Sequence, residues 1–298
     1  MTNARPLISA TELLDVVRSG AENLRIVDCR WVLGSPGNGV VAYAAGHIPG
    51  SIHLDLDDDL ADPAGYGAPG RHPLPSPAEF AADLGLAGID NDDLVVAYDD
   101  VGGWVAARLW WMLDVLGHER VRVLDGGLAA WTAAGGELTA DIPTWPEAKL
   151  HLRDRWDRVI ARDDLRSRLG SVVLLDARAA PRYRGETEPI DPVAGHIPTA
   201  LNAPIDGNLV GPAGAFLPPA ALADRFRALG ADGSAGPVVT SCGSGVSALH
   251  HALAMRVAGL PDPILYVGSY SDWSRSGERV ATGEEPGEPG EPGEPPPA

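Results

Sequence analysis

The chain has 298 residues, 45% of them apolar, which is enough for about two domains with packed cores. Its formal charge of −18 excludes a broad basic surface and so speaks against nucleic acid or an anionic membrane as partner. The opening Met1–Pro6 lacks the basic-then-apolar layout of a signal peptide, and no apolar run approaches the ~18 residues needed to span a bilayer.

From the N-terminus, Ser9-Ala10-Thr11-Glu12 is a capping box that predicts a helix over 11–18. Ile26-Val27 reads as a buried strand, and Ser76-Pro77-Ala78-Glu79 pairs a cap with a first-turn proline ahead of a helix over 77–84. Val95-Val96 and 121–123 are further strands, with a long apolar helix over 105–116 between them. The stretch 141–156 is rich in Pro, Trp and charge and reads as a linker. Strands follow near 172–175, 238–239 and 264–267, with a second apolar helix over 246–257. From Gly283 onward Gly-Glu-Pro recurs without an apolar residue to bury, which predicts a disordered acidic tail over 283–298. Strands alternating with helices imply an α/β fold with mostly parallel sheets covered on both faces.

The chain repeats itself. Val27-Asp28-Cys29-Arg30 resembles Leu175-Asp176-Ala177-Arg178, and Gly46-His47-Ile48-Pro49 is matched by Gly195-His196-Ile197-Pro198. Val95-Val96-Ala97-Tyr98 aligns with Val238-Val239-Thr240-Ser241, and the segment ending at Trp131 aligns with the one ending at Trp273. Four matches in one order mean a duplicated domain. The expected organisation is an N-terminal copy over 1–140, the linker 141–156, a C-terminal copy over 157–282, and the tail. Because both copies carry them, His47, His196, Asp28 and Asp176 read as structural.

Only two cysteines occur, Cys29 and Cys242, in neither CxxC nor metal-ligand spacing, so free thiols, a cytoplasmic setting and no metal are expected. Cys29 reads as a buried strand-end residue. Cys242 falls where a buried strand ends and a helix begins, in Cys242-Gly243-Ser244-Gly245-Val246-Ser247. Ligands of open α/β sheets bind beyond the carboxyl ends of strands. Small residues there let successive N–H groups turn inward as an anion nest, which suits a nucleophilic thiolate.

These motifs resemble the tandem-domain rhodanese-type sulfurtransferases over about residues 5–280: Gly-His-Ile-Pro twice, the six-residue cysteine loop, and Gly268-Ser269-Tyr270-Ser271-Asp272-Trp273. The resemblance implies two similar α/β domains, a catalytic cysteine in the second only, and a site between the domains. The first copy has Asp99-Asp100-Val101-Gly102-Gly103 at the matching loop and is expected to be inactive, since a carboxylate cannot carry a sulfane sulfur. The loop is neutral, as in the 3-mercaptopyruvate branch, whereas the thiosulfate branch carries Cys-Arg-Lys-Gly-Val-Thr. Ser247 stands where that branch has Thr, with a hydroxyl able to bond back to the loop.

The resemblance further implies that Arg182 binds the donor carboxylate, a task suited to a guanidinium fork. With it go Gly243, Gly245, Val246 and Ser247 of the loop. A second arginine of the branch is missing from Glu186-Thr187-Glu188-Pro189-Ile190-Asp191-Pro192, and Arg184 is a possible substitute. A Ser–His–Asp set maps onto Ser244, His72 and Asp57, in which a histidine oriented by a carboxylate moves protons near neutral pH. The expected reaction is ping-pong sulfur transfer from 3-mercaptopyruvate through a Cys242 persulfide, without cofactor, to cyanide, a dithiol or a thioredoxin-type thiol. The rival readings are thiosulfate:cyanide transfer and a persulfide carrier that does not turn over. A Cys-loop phosphatase is set aside because its phosphate-gripping Arg would fall at Ala248.

Overall fold

In a computed structural model of the chain, residues 5–62 and 69–289 are described. They fall into two compact units. The first takes residues 5–62, 75–157 and 209–216; the second takes 69–74, 158–208 and 217–289.

The first unit runs β1 (Leu7–Ile8), α1 (Ala10–Arg18), β2 (Leu24–Asp28), α2 (Asn38–Ala45), β3 (Ser51–His53), α3 (Pro77–Leu86), β4 (Leu94–Tyr98), α4 (Ala106–Val115), β5 (Val121–Leu124) and α5 (Gly127–Ala133). Its strands lie in the order β1-β5-β4-β2-β3, with every pair parallel. The sequence continues with β6 (Val159–Ile160), α6 (Arg162–Arg168), β7 (Val173–Asp176), α7 (Ala180–Tyr183) and β8 (Leu201–Asn202). Next come β9 (Leu209–Val210), β10 (Ala215–Phe216), α8 (Pro219–Ala228), β11 (Val238–Ser241), α9 (Ala248–Val257), β12 (Ile264–Tyr266) and α10 (Ser269–Trp273). The second sheet is ordered β6-β12-β11-β7-β8, again all parallel, so its topology repeats that of the first. Two α/β units, each a five-stranded parallel sheet flanked by helices, follow from strands that are apolar on both faces, such as the buried run from Val95 to Tyr98.

Local signals act as read. Ser9 and Glu12 close the capping box of α1, with Glu12 N–H donating to Ser9 Oγ and Ser9 N–H to Glu12 Oε2. Ser76 Oγ accepts from Glu79 N ahead of Pro77 in α3. Each unit has its own core, one around Leu13, Ile26, Val96 and Trp131, the other around Leu165, Leu174, Val239 and Trp273.

The repeated motifs are a duplicated structural device. Asp28 at the end of β2 receives the Arg30 guanidinium, whose Nη2 also reaches Gly46 O; Asp176 at the end of β7 receives Arg178, whose Nη2 reaches Gly195 O. His47 stacks on Tyr43 at 3.8 Å and bonds Tyr43 O and Asp141 O; His196 stacks on Tyr183 at 3.7 Å and bonds Tyr183 O and Glu285 O. Burial holds His196 below the ordinary imidazole value. Cys29 is fully buried, and burial, then the Asp28 carboxylate, push its thiol well up.

Three expected boundaries move. The linker 141–156 is strapped to the first unit: Ala148 N donates to Gly85 O, Arg153 N to Leu116 O, and Trp156 stacks on Trp111 at 6.0 Å. Two segments cross the expected domain limits. Residues 69–74 belong to the second unit, and 209–216 belong to the first, where Phe216 N donates to Asp125. The tail expected from Gly283 is attached at its start, because Gly283 N donates to Arg184 O and Thr199 N to Pro286 O; 290–298 lie outside the described residues. Its backbone groups find partners even though its side chains have nothing apolar to bury.

Candidate active site

Cys242 follows β11, a central strand paired with β7 and β12. The residue is 1% exposed. Two backbone N–H groups aim at its sulfur, with Gly245 N 3.1 Å and Ser244 N 3.4 Å from Sγ. Such donors match the negative charge of a thiolate or of a persulfide. The loop closes this tightly because Gly245 adopts φ +80, and a Cβ there would stand 2.4 Å from Val267 O. Val246 is buried. Ser247 takes the N-cap position of α9 in helical conformation, and its hydroxyl makes no capping bond.

The turn after β12 clamps the loop from the other side. Cys242 N donates to Ser269 Oγ at 3.1 Å, Tyr270 N to Cys242 O, and Ser271 N to Gly243 O. Ser269 is held at φ +50, a conformation rare outside glycine, and its hydroxyl also donates to Tyr266 O. Neither Ser269 nor Ser271 was among the expected site residues. The signal was there: the first copy has Gly127 and Ala129 at the matching places, so both hydroxyls are peculiar to the copy with the cysteine.

Segment 69–74 completes the second unit beside this loop. His72 Nδ1 and Ser244 Oγ are 2.8 Å apart, and both residues are largely buried. Arg71 N donates to Ser271 Oγ. A Cβ at Gly243 would lie 3.0 Å from Arg71 Nη2 and 3.6 Å from Arg182 Nη1, so two guanidinium groups flank the residue next to Cys242. Arg182 is held by Glu188, through Nε at 3.2 Å and Nη2 at 2.7 Å. Burial alone would raise the Glu188 carboxyl; the Arg182 bond and the N–H groups of Asp191 and Ile190 outweigh it and hold it below the usual range. The Arg184 guanidinium forks onto Glu186. Arg71 was also missed, because a lone arginine beside a histidine carries no local mark of the loop it reaches.

Asp57 belongs to the first unit, where its carboxylate accepts from Trp31 Nε1 at 2.8 Å and its N–H donates to Asp55. The first unit also carries the counterpart of the cysteine loop. There Asp99 turns its own carboxylate into the nest and accepts from the N–H groups of Val101, Gly103, Val105 and Ala106. A loop built to surround an anion is thus filled by a side chain of its own. Among the described residues no group of three or more His, Cys, Asp or Glu is placed to hold a metal, and no helix is long and apolar enough to cross a membrane.

The two units and the two equivalent loops agree with comparison to known proteins. The family model described as "Rhodanese-like domain" matches residues 9–134 and again 161–276. The chain belongs to the rhodanese family. A Pseudomonas aeruginosa protein named "Probable 3-mercaptopyruvate sulfurtransferase" is 46% identical over 290 residues, covering 93% of this chain and 98% of that protein. The rat "Thiosulfate sulfurtransferase" is 33% identical over 285 residues, covering 91% of this chain and 92% of its own length. Among solved structures, the 3-mercaptopyruvate sulfurtransferase from Leishmania major superposes with a TM-score of 0.79 at 29% identity, covering 92% of this chain and 75% of that one. Rhodanese relatives named for either donor therefore match nearly the whole chain.

Proposed function

We propose that this protein is a sulfurtransferase that takes sulfane sulfur from 3-mercaptopyruvate and passes it to a thiophilic acceptor through a persulfide on Cys242. The observation that carries this is the sulfur of Cys242 beneath two backbone N–H donors, in a loop whose serine is bonded to a buried histidine.

The Cys242 thiolate attacks the donor sulfur. The S–S bond forms, the donor C–S bond breaks, and its electron pair leaves on carbon as the enolate of pyruvate. In this reading the His72–Ser244 pair delivers the proton that converts the enolate to pyruvate, which the 2.8 Å separation of His72 Nδ1 and Ser244 Oγ supports. The persulfide's outer sulfur then goes to cyanide, a dithiol or a thioredoxin-type thiol, and Cys242 returns as thiolate. Two moderate steps replace one difficult one. Arg182 supplies positive charge for the donor's carboxylate, and the loop residues Gly243, Gly245, Val246 and Ser247 shape the pocket floor. The role given to Asp57 rests on the family resemblance, and Asp57→Asn tests it by its effect on turnover.

One observation favours a second reading, thiosulfate as donor: two guanidinium groups beside the loop suit a dianion as well as a carboxylate. Release of pyruvate from mercaptopyruvate, coupled to lactate dehydrogenase, decides between them when run beside a thiosulfate–cyanide assay. A higher kcat/KM with thiosulfate overturns the donor assignment. Activity remaining in Cys242→Ala overturns the nucleophile, and a stable persulfide without pyruvate release supports a carrier instead. A cytoplasmic location goes with the proposal, since both cysteines are free. The acid excess makes a nucleic-acid partner unfavourable.

A further inference from the structure

His72 reaches Ser244 from a segment with little structure of its own. Residues 69–74 form neither helix nor strand, so no ladder of main-chain bonds fixes where the imidazole stands. The neighbouring Arg71 is tied instead. Arg71 N donates to Ser271 Oγ at 3.1 Å, and Ser271 N donates to Gly243 O at 2.9 Å, so the main chain hangs from the turn that clamps the cysteine loop. The Arg71 guanidinium gives Nη1 to Asp191 Oδ1. Gly70 packs so closely on Gly268 that a Cβ there would come within 2.8 Å of Gly268 O.

Asp191 is the centre of this arrangement. Its side chain is fully buried and meets three arginines: Arg71, Arg275 at 3.1 Å and Arg182 at 3.4 Å. They depend on it unequally. Arg182 also holds Glu188, and Arg275 Nη1 also donates to Ser271 O at 2.6 Å. Among the described residues Arg71 pairs with no other carboxylate. Loss of Asp191 therefore falls on Arg71, whose long side chain, without its buried partner, swings toward water. His72 is the next residue in the chain and moves with it.

We propose that Asp191 is a positioning residue: by holding Arg71 it fixes His72 within hydrogen-bond reach of Ser244. The inference rests on the sulfurtransferase reading above and goes beyond it in naming what sets the proton path. Asp191 carries the wrong charge to bind an anionic donor itself, so its loss lowers kcat and leaves KM in place.

The test uses the full chain and two readouts. Carbethoxylation by diethyl pyrocarbonate, mapped by peptide mass spectrometry, reports the exposure of each imidazole without any turnover. In wild type the exposed His151 is expected to react, while His72, 7% exposed, and the fully buried His250 and His251 are protected. In Asp191→Ala the rate at His72 relative to His151 is expected to rise about 10-fold or more, with His250 and His251 still protected, as selective local opening does. An unchanged rate at His72 overturns the proposal. Should Asp191→Ala expose His250 and His251 as well, Arg71→Gln decides, because Asp191 then keeps Arg275 and Arg182 and no buried charge is stranded. The same selective rise at His72 is expected there, and its absence overturns the proposal. Pyruvate release from mercaptopyruvate is the second readout. Asp191→Ala should lower kcat about 10-fold or more with KM within about 3-fold, since a group shifted by a fraction of an ångström loses rate rather than donor binding. Asp191→Ala combined with His72→Gln should be no slower than His72→Gln alone within about 3-fold, because both act on one path. A change in KM alone, or losses that multiply in the double variant, overturns the proposal. Absence of sulfur transfer from either donor in wild type refutes the sulfurtransferase reading, while the mapping of His72 still supports or overturns the anchor.

Discussion

Gly245→Ala is the most informative single change to the loop. The backbone there sits at φ +80, and holding a residue with a Cβ in that conformation costs about 1–2 kcal/mol. The new Cβ would also stand 2.4 Å from Val267 O, a backbone atom on the turn that clamps the loop. Carbon and oxygen in contact need about 3.3 Å, so the two strands of the site must part by roughly 0.9 Å. The Gly245 N–H that now lies 3.1 Å from Cys242 Sγ moves with them. A displacement of about 1 Å at a reacting centre costs on the order of 100-fold in rate. The expected outcome is therefore a roughly 100-fold loss of kcat/KM in the pyruvate-release assay, with a folded protein that melts a few degrees lower. Gly259→Ala is the control, since Gly259 is also left-handed at φ +70 but has nothing within 4 Å of its Cβ position. It should lose only the conformational cost of about 1–2 kcal/mol and keep its activity. If Gly245→Ala retains more than about half of wild-type kcat/KM, or if both variants lose activity alike, the reasoning about the nest is refuted.

Three other outcomes are expected. His72→Gln keeps a polar group near Ser244 but removes the titrating imidazole, and should lower kcat about 100-fold with little change in melting; an unchanged kcat removes His72 from the proton path. Asp28→Ala takes the carboxylate from a buried arginine and should cost about 3–5 kcal/mol, read as a shifted denaturant midpoint, and Asp176→Ala should cost less, since Arg178 keeps Glu188 at 3.4 Å; a loss below about 1 kcal/mol at Asp28 contradicts the paired-anchor account. Burial, then the charge of Arg225, lower the His251 pKa to about 4. Because the folded value lies below the unfolded one near 6.5, the unfolded chain binds the extra proton, so this group's destabilising effect begins as pH falls below about 6.5 and levels off near 4, at roughly 3 kcal/mol. His251→Gln should flatten the dependence of stability on pH over that window, and identical slopes for variant and wild type would falsify the assignment.

Much of the architecture was legible in the sequence, and the reason is locality. Capping boxes and apolar runs act within a few residues. The duplication was visible because each copy needs the same strand-end aspartate, the same arginine two residues on, and the same histidine stacked on a tyrosine. These are packing solutions that each unit reaches alone, so they recur as short strings. The cysteine loop was legible for a similar reason: small residues between a buried strand and a helix leave backbone N–H groups facing inward.

Tertiary structure decided the rest. The sequence by itself singled out Cys242 as the candidate nucleophile and determined the two α/β units and the likeness between the Asp99 and Cys242 loops. Only the fold brought His72 to Ser244 across 172 residues of chain, set Ser269 and Ser271 against the loop, and attached Glu285 and Pro286 where a free tail was expected. It also set Arg71 Nη2 beside Gly243 and bound the Nε–Nη2 edge of Arg182 to Glu188. An arginine's sequence neighbours do not specify which of its five donors stay free; that depends on which carboxylates the fold brings within reach, and here those are Asp191 and Glu188.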